Sequence, residues 1–293
     1  MSKISHLPRI TLQNSQMGRF FYLYLFIVLS SCVPRFVIVS HPNLVSSYFQ
    51  KKISKLEKKD DLTKNQKRTL LKLRLEYAFG VILEESDRLV DEDYSAGILK
   101  SNEAMSIFRE SKLIGTSILS EKYPDFEFWL SEKKDIIFSS EDVIDLYWLG
   151  VAYGGAVKSS RGNPFEVVHI PKIGKLLTTA IAIEPDWSKG ALYTAMMSYM
   201  STSPEFSNET LKDTIDYYFQ KAVTVSDSLD ASPFVSYAEI IDKKFQNRKG
   251  FEDKLNYVLA MNVNRDKHFR MGNIIAQERA KWLLSRKDEY FYE

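Results

Sequence analysis

The sequence predicts an all-α protein. Glycine and proline are sparse, at 12 and 9 of 293 residues. Apolar side chains recur at steps of three and four, which is the spacing of one buried helix face. No stretch shows the sustained apolar–polar alternation of a half-buried strand. Together these observations favour helices packed on helices over a sheet.

Start signals and apolar spacing define the first predicted helices. A helical pattern covers residues 42–56. Thr63 and Gln66 have capping-box spacing, so a long helix is expected to follow and to end near Val90. The next predicted helix spans residues 95–119.

The second half of the chain is predicted to be helical almost to its end. An irregular segment, residues 123–140, precedes it, and helical spacing resumes at Glu141. The last predicted helix spans residues 273–284. Breaks between helices are expected at 159–168, 184–187, 201–207, 227–232 and 246–250.

Part of this region fits the 34-residue tetratricopeptide template of paired helices. In the first unit the matching residues are Leu146, Leu149, Gly150, Tyr153, Ile173, Leu177, Ala180 and Pro185. A weaker second unit places small residues for close packing at Ala191, Thr194, Ala195 and Ser198. We therefore predict tetratricopeptide-like helical hairpins stacked as an α-α superhelix or bundle. The alternative is an ordinary irregular helical bundle.

The template also indicates which side chains face the groove between the helices. These are mostly apolar, whereas a peptide-binding groove would be polar, and two adjacent glycines leave open space. The pattern predicts a channel for an apolar ligand. The alternative is that the same residues are simply core, because helices apolar on all sides are usually buried. The candidate channel residues are Tyr147, Val151, Gly154, Gly155, Leu192, Met196 and Tyr199.

Residues 1–31 have the features of an export signal. They contain three basic and no acidic side chains, a ten-residue apolar block over 20–29, and then two serines. Cys32, the only cysteine of the chain, follows directly. This order predicts a bacterial lipoprotein signal peptide over 1–31 in which Cys32 is acylated and becomes the new N-terminus.

This interpretation sets the expected domain organisation: a lipidated tether over 32–41 and a single helical domain over 42–293. One alternative is a transmembrane anchor over 20–39, which is long enough to span a bilayer. Pro34 and Arg35 disfavour it, because they place a kink and a charge near its middle. The other alternative is a buried N-terminal element.

Charge and motifs exclude several classes of function. Without residues 1–31 the chain has 37 basic and 38 acidic side chains, so nothing favours nucleic acid as a partner. No nucleophile elbow, zinc-protease motif or phosphate-binding loop is present. His41, His169 and His268 stand far apart without acids at ligand spacing. We predict no catalytic residue, no metal and no cofactor.

Several motifs of the chain resemble one known family. They are Tyr-Trp-Leu-Gly-Val-Ala-Tyr-Gly-Gly-Ala at 147–156, Leu-Leu-Thr-Thr-Ala-Ile-Ala-Ile-Glu-Pro-Asp-Trp at 176–187, Lys-Gly-Ala-Leu-Tyr at 189–193 and the helix at 273–284. In combination they resemble the T component of TRAP transporters over essentially the whole chain after the signal. The resemblance implies an all-helical, tetratricopeptide-like periplasmic lipoprotein that is not an enzyme. Its one transferable functional position is the lipidated cysteine, matched by Cys32.

The same resemblance implies a role and partners. Such proteins are thought to assist a tripartite ATP-independent periplasmic uptake system, and their partner is its periplasmic solute-binding P component. A homo-oligomer is expected, with a trimer as the candidate assembly. The expected ligand is a hydrophobic small molecule, with a carboxylate as its candidate polar group. A second interpretation from the residues stays open, in which the chain is a helical-repeat lipoprotein scaffold for outer-membrane assembly.

Overall fold

The structure is a computed structural model that describes residues 42–202 and 208–292. All regular structure in these two ranges is helical, so the predicted all-α class is confirmed. The predicted signal peptide over 1–31 and the tether over 32–41, with Cys32, lie outside the described residues. Within the described ranges, no helix combines the length and apolarity that crossing a bilayer would require.

The first predicted helices are present, and one of them contains an irregular turn. Thr63 and Gln66 form the predicted capping box, with the Thr63 N–H donating to Gln66 Oε1 at 3.1 Å. The long helix that follows passes through a π-helical segment, here named π1, before it ends. The elements are α1 (Pro42–Glu57), α2 (Lys64–Tyr77), π1 (Ala78–Leu83), α3 (Glu84–Glu92) and α4 (Tyr94–Lys122).

The predicted breaks at 159–168, 184–187, 227–232 and 246–250 are confirmed, the first of them with a short helix inside it, whereas residues 203–207 of the break predicted at 201–207 lie outside the described residues. Three of these elements, α5, α7 and α14, have only four or five residues, and a second π-helical segment, π2, extends α11. The elements are α5 (Phe126–Leu130), α6 (Val143–Ser159), α7 (Pro164–Val167), α8 (Ile170–Ile183), α9 (Ala191–Thr202), α10 (Asn208–Val225), α11 (Ser232–Tyr237), π2 (Ala238–Asp242), α12 (Arg248–Ala260), α13 (Arg270–Ser285) and α14 (Lys287–Tyr290).

Helix α6 lies at the centre of the helices described. It packs against α4 on one side and α8 on the other, and α8 in turn packs against α9. Its one acidic side chain, Asp145, is 1% exposed and is neutralised from α2. Both carboxylate oxygens accept hydrogen bonds of 2.7 Å from Arg68, and Lys64 lies 3.3 Å away. This bidentate pair fixes the start of α6 against α2.

The adjacent glycines of α6 have different surroundings. A Cβ atom at Gly155 would overlap the ring of Phe108 from α4, so this glycine allows the two helices to approach closely. A Cβ atom at Gly154 would have no neighbour within 4 Å. Gly155 is therefore a packing position, whereas Gly154 faces open space.

This contrast predicts opposite effects for one added methyl group. We expect Gly155→Ala to lower the free energy of unfolding by about 1 to 3 kcal/mol, because the buried Phe108 must move. We expect Gly154→Ala to be neutral or to stabilise by up to about 1 kcal/mol, because alanine is the better helix former. Urea unfolding of the two variants and the wild type measures the difference. Equal stability of the two variants would contradict the close α4–α6 contact.

Candidate functional site

A cavity of about 600 Å³ lies beside α6. Side chains of α6, α8, α9 and α11 line it, with further contributions from both π segments. This volume is within the range of small-molecule sites, roughly 300 to 1,000 Å³. Most of the wall is apolar, so the cavity is suited to an apolar molecule of moderate size.

One face of α6 forms the long wall of this cavity. Tyr147, Val151, Gly154 and Lys158 line it and recur at steps of three and four, so they lie in one row along the helix. The step from Tyr147 to Lys158 corresponds to about 16 Å at about 1.5 Å per residue. The cavity is therefore elongated along α6 and open in its middle, where Gly154 contributes no side chain.

Four of the seven predicted channel residues line the cavity. Tyr147, Val151 and Gly154 do so from α6, and Tyr199 does so from α9. The others lie elsewhere: Gly155 faces Phe108, while Leu192 and Met196 are 0% and 2% exposed within the core cluster of α6 and α8.

The two faces of helix α9 are exchanged relative to the prediction, so that the face expected to pack against other helices borders the cavity. The small residues expected to pack between helices, Ala191, Thr194, Ala195 and Ser198, line the cavity instead. Leu192 and Met196, expected in the groove, fill the core between α9 and its neighbours. The physical reason is size, because large apolar side chains gain more free energy from burial than small ones.

One end of the cavity is buried, and we name it the inner end. It is formed by Tyr147 and Asp230, and Asp230 is only 9% exposed. The Asp230 carboxylate accepts a 2.9 Å hydrogen bond from the Ser232 N–H at the start of α11. Burial raises the pKa of Asp230 despite this hydrogen bond. Burial also raises the pKa of the Tyr147 phenol, and the nearby Asp230 charge adds to that shift.

The Tyr147 hydroxyl has no hydrogen-bond partner in the described parts of the chain. Its ring packs against Trp148 and Trp187, each with a centroid separation of 4.9 Å. Tyr147 lines the cavity, and its hydroxyl oxygen keeps some accessible surface. The inner end of an otherwise apolar cavity therefore presents a phenol that is ready to donate or accept a hydrogen bond.

The opposite end, which we name the outer end, is exposed and charged. Lys158, Ser201 and Thr202 are exposed there and line the cavity. No acidic side chain of the described residues lies within 4 Å of the Lys158 ammonium group. Glu239 also lines the cavity but is already engaged by Arg279, with an Nη2–Oε1 distance of 2.7 Å. The Lys158 charge acts on Glu84 and Glu239 from a longer distance and helps to lower the pKa of Glu239. The outer end thus offers an exposed cation without a direct ion-pair contact.

Arg279 of α13 connects the walls near this end. Its guanidinium is buried and contacts Asp87 of α3 at 3.1 Å in addition to Glu239 of π2, and Glu84 lies 3.7 Å away. Burial alone would raise the pKa of Glu239, but the Arg279 charge outweighs it and the pKa is lowered. For Glu84 burial prevails, and its pKa is raised. Arg279 therefore holds elements from both halves of the chain around the cavity.

Several lining residues were not predicted from the sequence. Phe79 belongs to π1, and Glu239 and Ile240 belong to π2, far from the helical pair that carried the repeat signal. Phe79 shows only the helical spacing of a buried stripe, and no local pattern marks Glu239 and Ile240 as lining residues. Lys158 could have been predicted as a lining residue from the sequence, because it extends the row of Tyr147, Val151 and Gly154 by one further turn of the helix.

The described residues contain no arrangement that indicates catalysis. Within 42–202 and 208–292, no three His, Cys, Asp or Glu side chains are grouped so that they could hold a metal ion. The acids at the cavity are a helix-capping carboxylate and a carboxylate paired with arginine.

Comparison with known proteins assigns the chain to a family. A protein of Treponema pallidum (strain Nichols), named only as an uncharacterized protein, is 24% identical over 235 residues, which cover 76% of this chain and 71% of that protein. The sequence profile of the family described as TRAP transporter T-component matches residues 51–291. This family is an accessory component of a transport system and is not an enzyme family. Because the match spans α2 to α14 and the whole cavity, the chain belongs to the TRAP transporter T-component family.

Proposed function

We propose that this protein is a membrane-anchored periplasmic accessory of a tripartite ATP-independent solute uptake system. In this role it binds the P-component solute receptor and shelters a hydrophobic ligand in the cavity along α6. The observation that carries the proposal is the cavity of about 600 Å³, largely apolar, inside a member of the T-component family. No chemical step is required of the protein, because in this role it binds the ligand and passes it on unchanged.

The cavity supports a hydrophobic ligand through its shape and lining. An elongated apolar slot favours a linear molecule, and each buried methylene group contributes about 0.8 kcal/mol. The exposed Lys158 at the outer end, which has no direct ion-pair contact within the described residues, supports a carboxylate as the polar group of that ligand. A carboxylate placed there would keep partial contact with water while its chain occupies the slot.

The proposal also covers the processing of the N-terminus, the arrangement of the helices and the oligomeric state. We propose that residues 1–31 are removed, that Cys32 carries the lipid, and that residues 32–41 tether a single domain over 42–293. Consecutive packing of α4, α6, α8 and α9 supports a tetratricopeptide-like stack of helical hairpins. We further propose that the protein forms a homo-oligomer, with a trimer as the assembly to test.

A scaffold for outer-membrane assembly is the alternative function. The cavity disfavours this alternative, because a scaffold does not need an apolar cavity that contains a phenol without a hydrogen-bond partner from the protein. Family membership disfavours it as well. The two functions differ in two observable respects, namely bound ligand and protein partner.

The first prediction concerns the ligand. Gly154→Leu should fill the middle of the cavity, since a Cβ atom there meets nothing within 4 Å, and should reduce co-purified hydrophobic ligand at least about tenfold. Gly154→Ala is the matched control and should retain most of the ligand. Organic extraction of the purified proteins followed by mass spectrometry gives the measurement, and circular dichroism confirms that both variants stay helical. Ligand content unchanged in Gly154→Leu would contradict a role for this cavity.

The second prediction concerns the partner. The full-length protein, crosslinked in native membranes and captured, should recover a periplasmic solute-binding protein of the P-component type. Gly154→Leu should capture it equally well if docking uses the outer surface and not the cavity contents. Recovery of outer-membrane assembly proteins in place of a solute receptor would favour the scaffold.

The third prediction concerns the anchor. Mass spectrometry of the N-terminal peptide should show acyl chains on Cys32 and no residues from 1–31. Cys32→Ala should abolish this modification and leave a protein that is soluble or uncleaved. A wild-type protein that keeps residues 1–31 without acylation, and a variant that stays fully in the membrane, would favour the transmembrane anchor.

A further inference from the structure

The cavity is polar at both of its ends, and the two ends differ in character. The outer end holds the exposed ammonium group of Lys158, which makes no direct ion-pair contact within the described residues. The inner end holds the Tyr147 hydroxyl and the 9% exposed Asp230 carboxylate. Between them lies about 16 Å of mostly apolar wall. A ligand with a single polar group would leave one of these ends without a polar partner.

The inner end lacks a partner that the protein itself could supply. A ligand that places an apolar end against this phenol displaces water from it and leaves the O–H without a hydrogen bond, at a cost of about 1 to 3 kcal/mol. Once water is excluded the phenol is a buried polar group, and such groups are nearly always hydrogen-bonded. Phenylalanine would fill the same volume without this cost, so the hydroxyl of Tyr147 is the feature that needs a binding partner.

The character of that partner follows from the charges at the inner end. Asp230 is an acceptor, and its negative charge would repel a second carboxylate placed beside Tyr147. Among the residues that line the cavity Lys158 is the only Lys or Arg, and it stands eleven residues along α6 from Tyr147. A group that both donates and accepts a hydrogen bond suits the pair, because it can donate to Asp230 and accept from Tyr147. An alcohol hydroxyl has this property and carries no charge.

We propose that the inner end is a second polar subsite, in which Tyr147 and Asp230 bind a neutral hydroxyl group at the far end of a linear ligand. The ligand class is then an unbranched chain with an anionic group at Lys158 and a hydroxyl at the opposite terminus. This inference rests on the proposed function, since it specifies the ligand that the cavity shelters. In this proposal Tyr147 and Asp230 determine which ligand is preferred, whereas burial of the ligand's hydrocarbon chain supplies most of the binding free energy.

Three probes that share one chain test the subsite. They are dodecanoate, its ω-hydroxy derivative and dodecanedioate, offered together at equal concentration to the full-length protein stripped of co-purified lipid. Native mass spectrometry reads which probe occupies the protein, by its mass. The ω-hydroxy probe should exceed dodecanoate by about 3- to 10-fold, the value of one or two net hydrogen bonds. Dodecanedioate should bind least, because its second carboxylate meets Asp230.

Two variants separate the subsite from general apolar binding. Tyr147→Phe removes only the hydroxyl and should bring the ω-hydroxy probe and dodecanoate to within about twofold of each other. Tyr217→Phe alters a phenol that is 55% exposed on α10, outside the cavity, and should keep the full preference. Asp230→Asn retains an oxygen for the Ser232 N–H but removes the charge, so the disadvantage of dodecanedioate should shrink.

The outcomes that overturn the inference are distinct from failure of the proposed function. Equal occupancy by dodecanoate and its ω-hydroxy derivative in the wild type would contradict the subsite, but it would still agree with the proposed binding of an apolar ligand. A preference that survives Tyr147→Phe would do the same. Preferred binding of dodecanedioate would assign the inner end to an anion instead. If no probe binds at all, the proposed ligand role fails, and the subsite fails with it.

Discussion

The burial of α6 is the constraint on which the rest of the structure depends. This helix is apolar except at Asp145, Lys158 and Ser159, so every face must be covered or must border a cavity. Helices α4 and α8 cover two sides, and Arg68 neutralises the one buried acid. The third side is left open, and the cavity is the space that remains there.

Arg279 explains why that space does not collapse. A cavity between helices loses dispersion contacts along its walls, so the surrounding elements tend to close on it. The buried guanidinium lies between Asp87 of α3, at 3.1 Å, and Glu239 of π2, at 2.7 Å, with Glu84 at 3.7 Å. Because a buried arginine is tolerated only when its partners stay in place, this network makes the spacing of the walls costly to change.

The sequence predicted the helices and their breaks well, and the cavity only in part. The capping box at Thr63 and the breaks at 184–187 and 246–250 depend on local chemistry, which a single sequence displays. The row of cavity-lining residues on α6 could be predicted for the same reason, because it depends on helical spacing alone. In contrast, Leu192 and Met196 were placed on the wrong face of α9, because the template assigns faces by position alone, whereas the large apolar side chains take the more buried face. Phe79 has the helical spacing of a buried stripe, but that spacing does not indicate a cavity, and Glu239 depends on contacts between distant segments.

The two π segments show how those distant residues reach the cavity. A π turn inserts one extra residue into a helix, shifts the side chains that follow it by about 100° around the axis, and is frequently found at functional sites. Both π1 and π2 occur where the chain borders the cavity, and they contribute Phe79 and Ile240 to its wall. Glu84, which follows π1, and Glu239, which lies in π2, are both partners of Arg279. The same irregular turns therefore aim apolar side chains at the slot and acids at the arginine, which ties the shape of the cavity to the charge network that keeps it open.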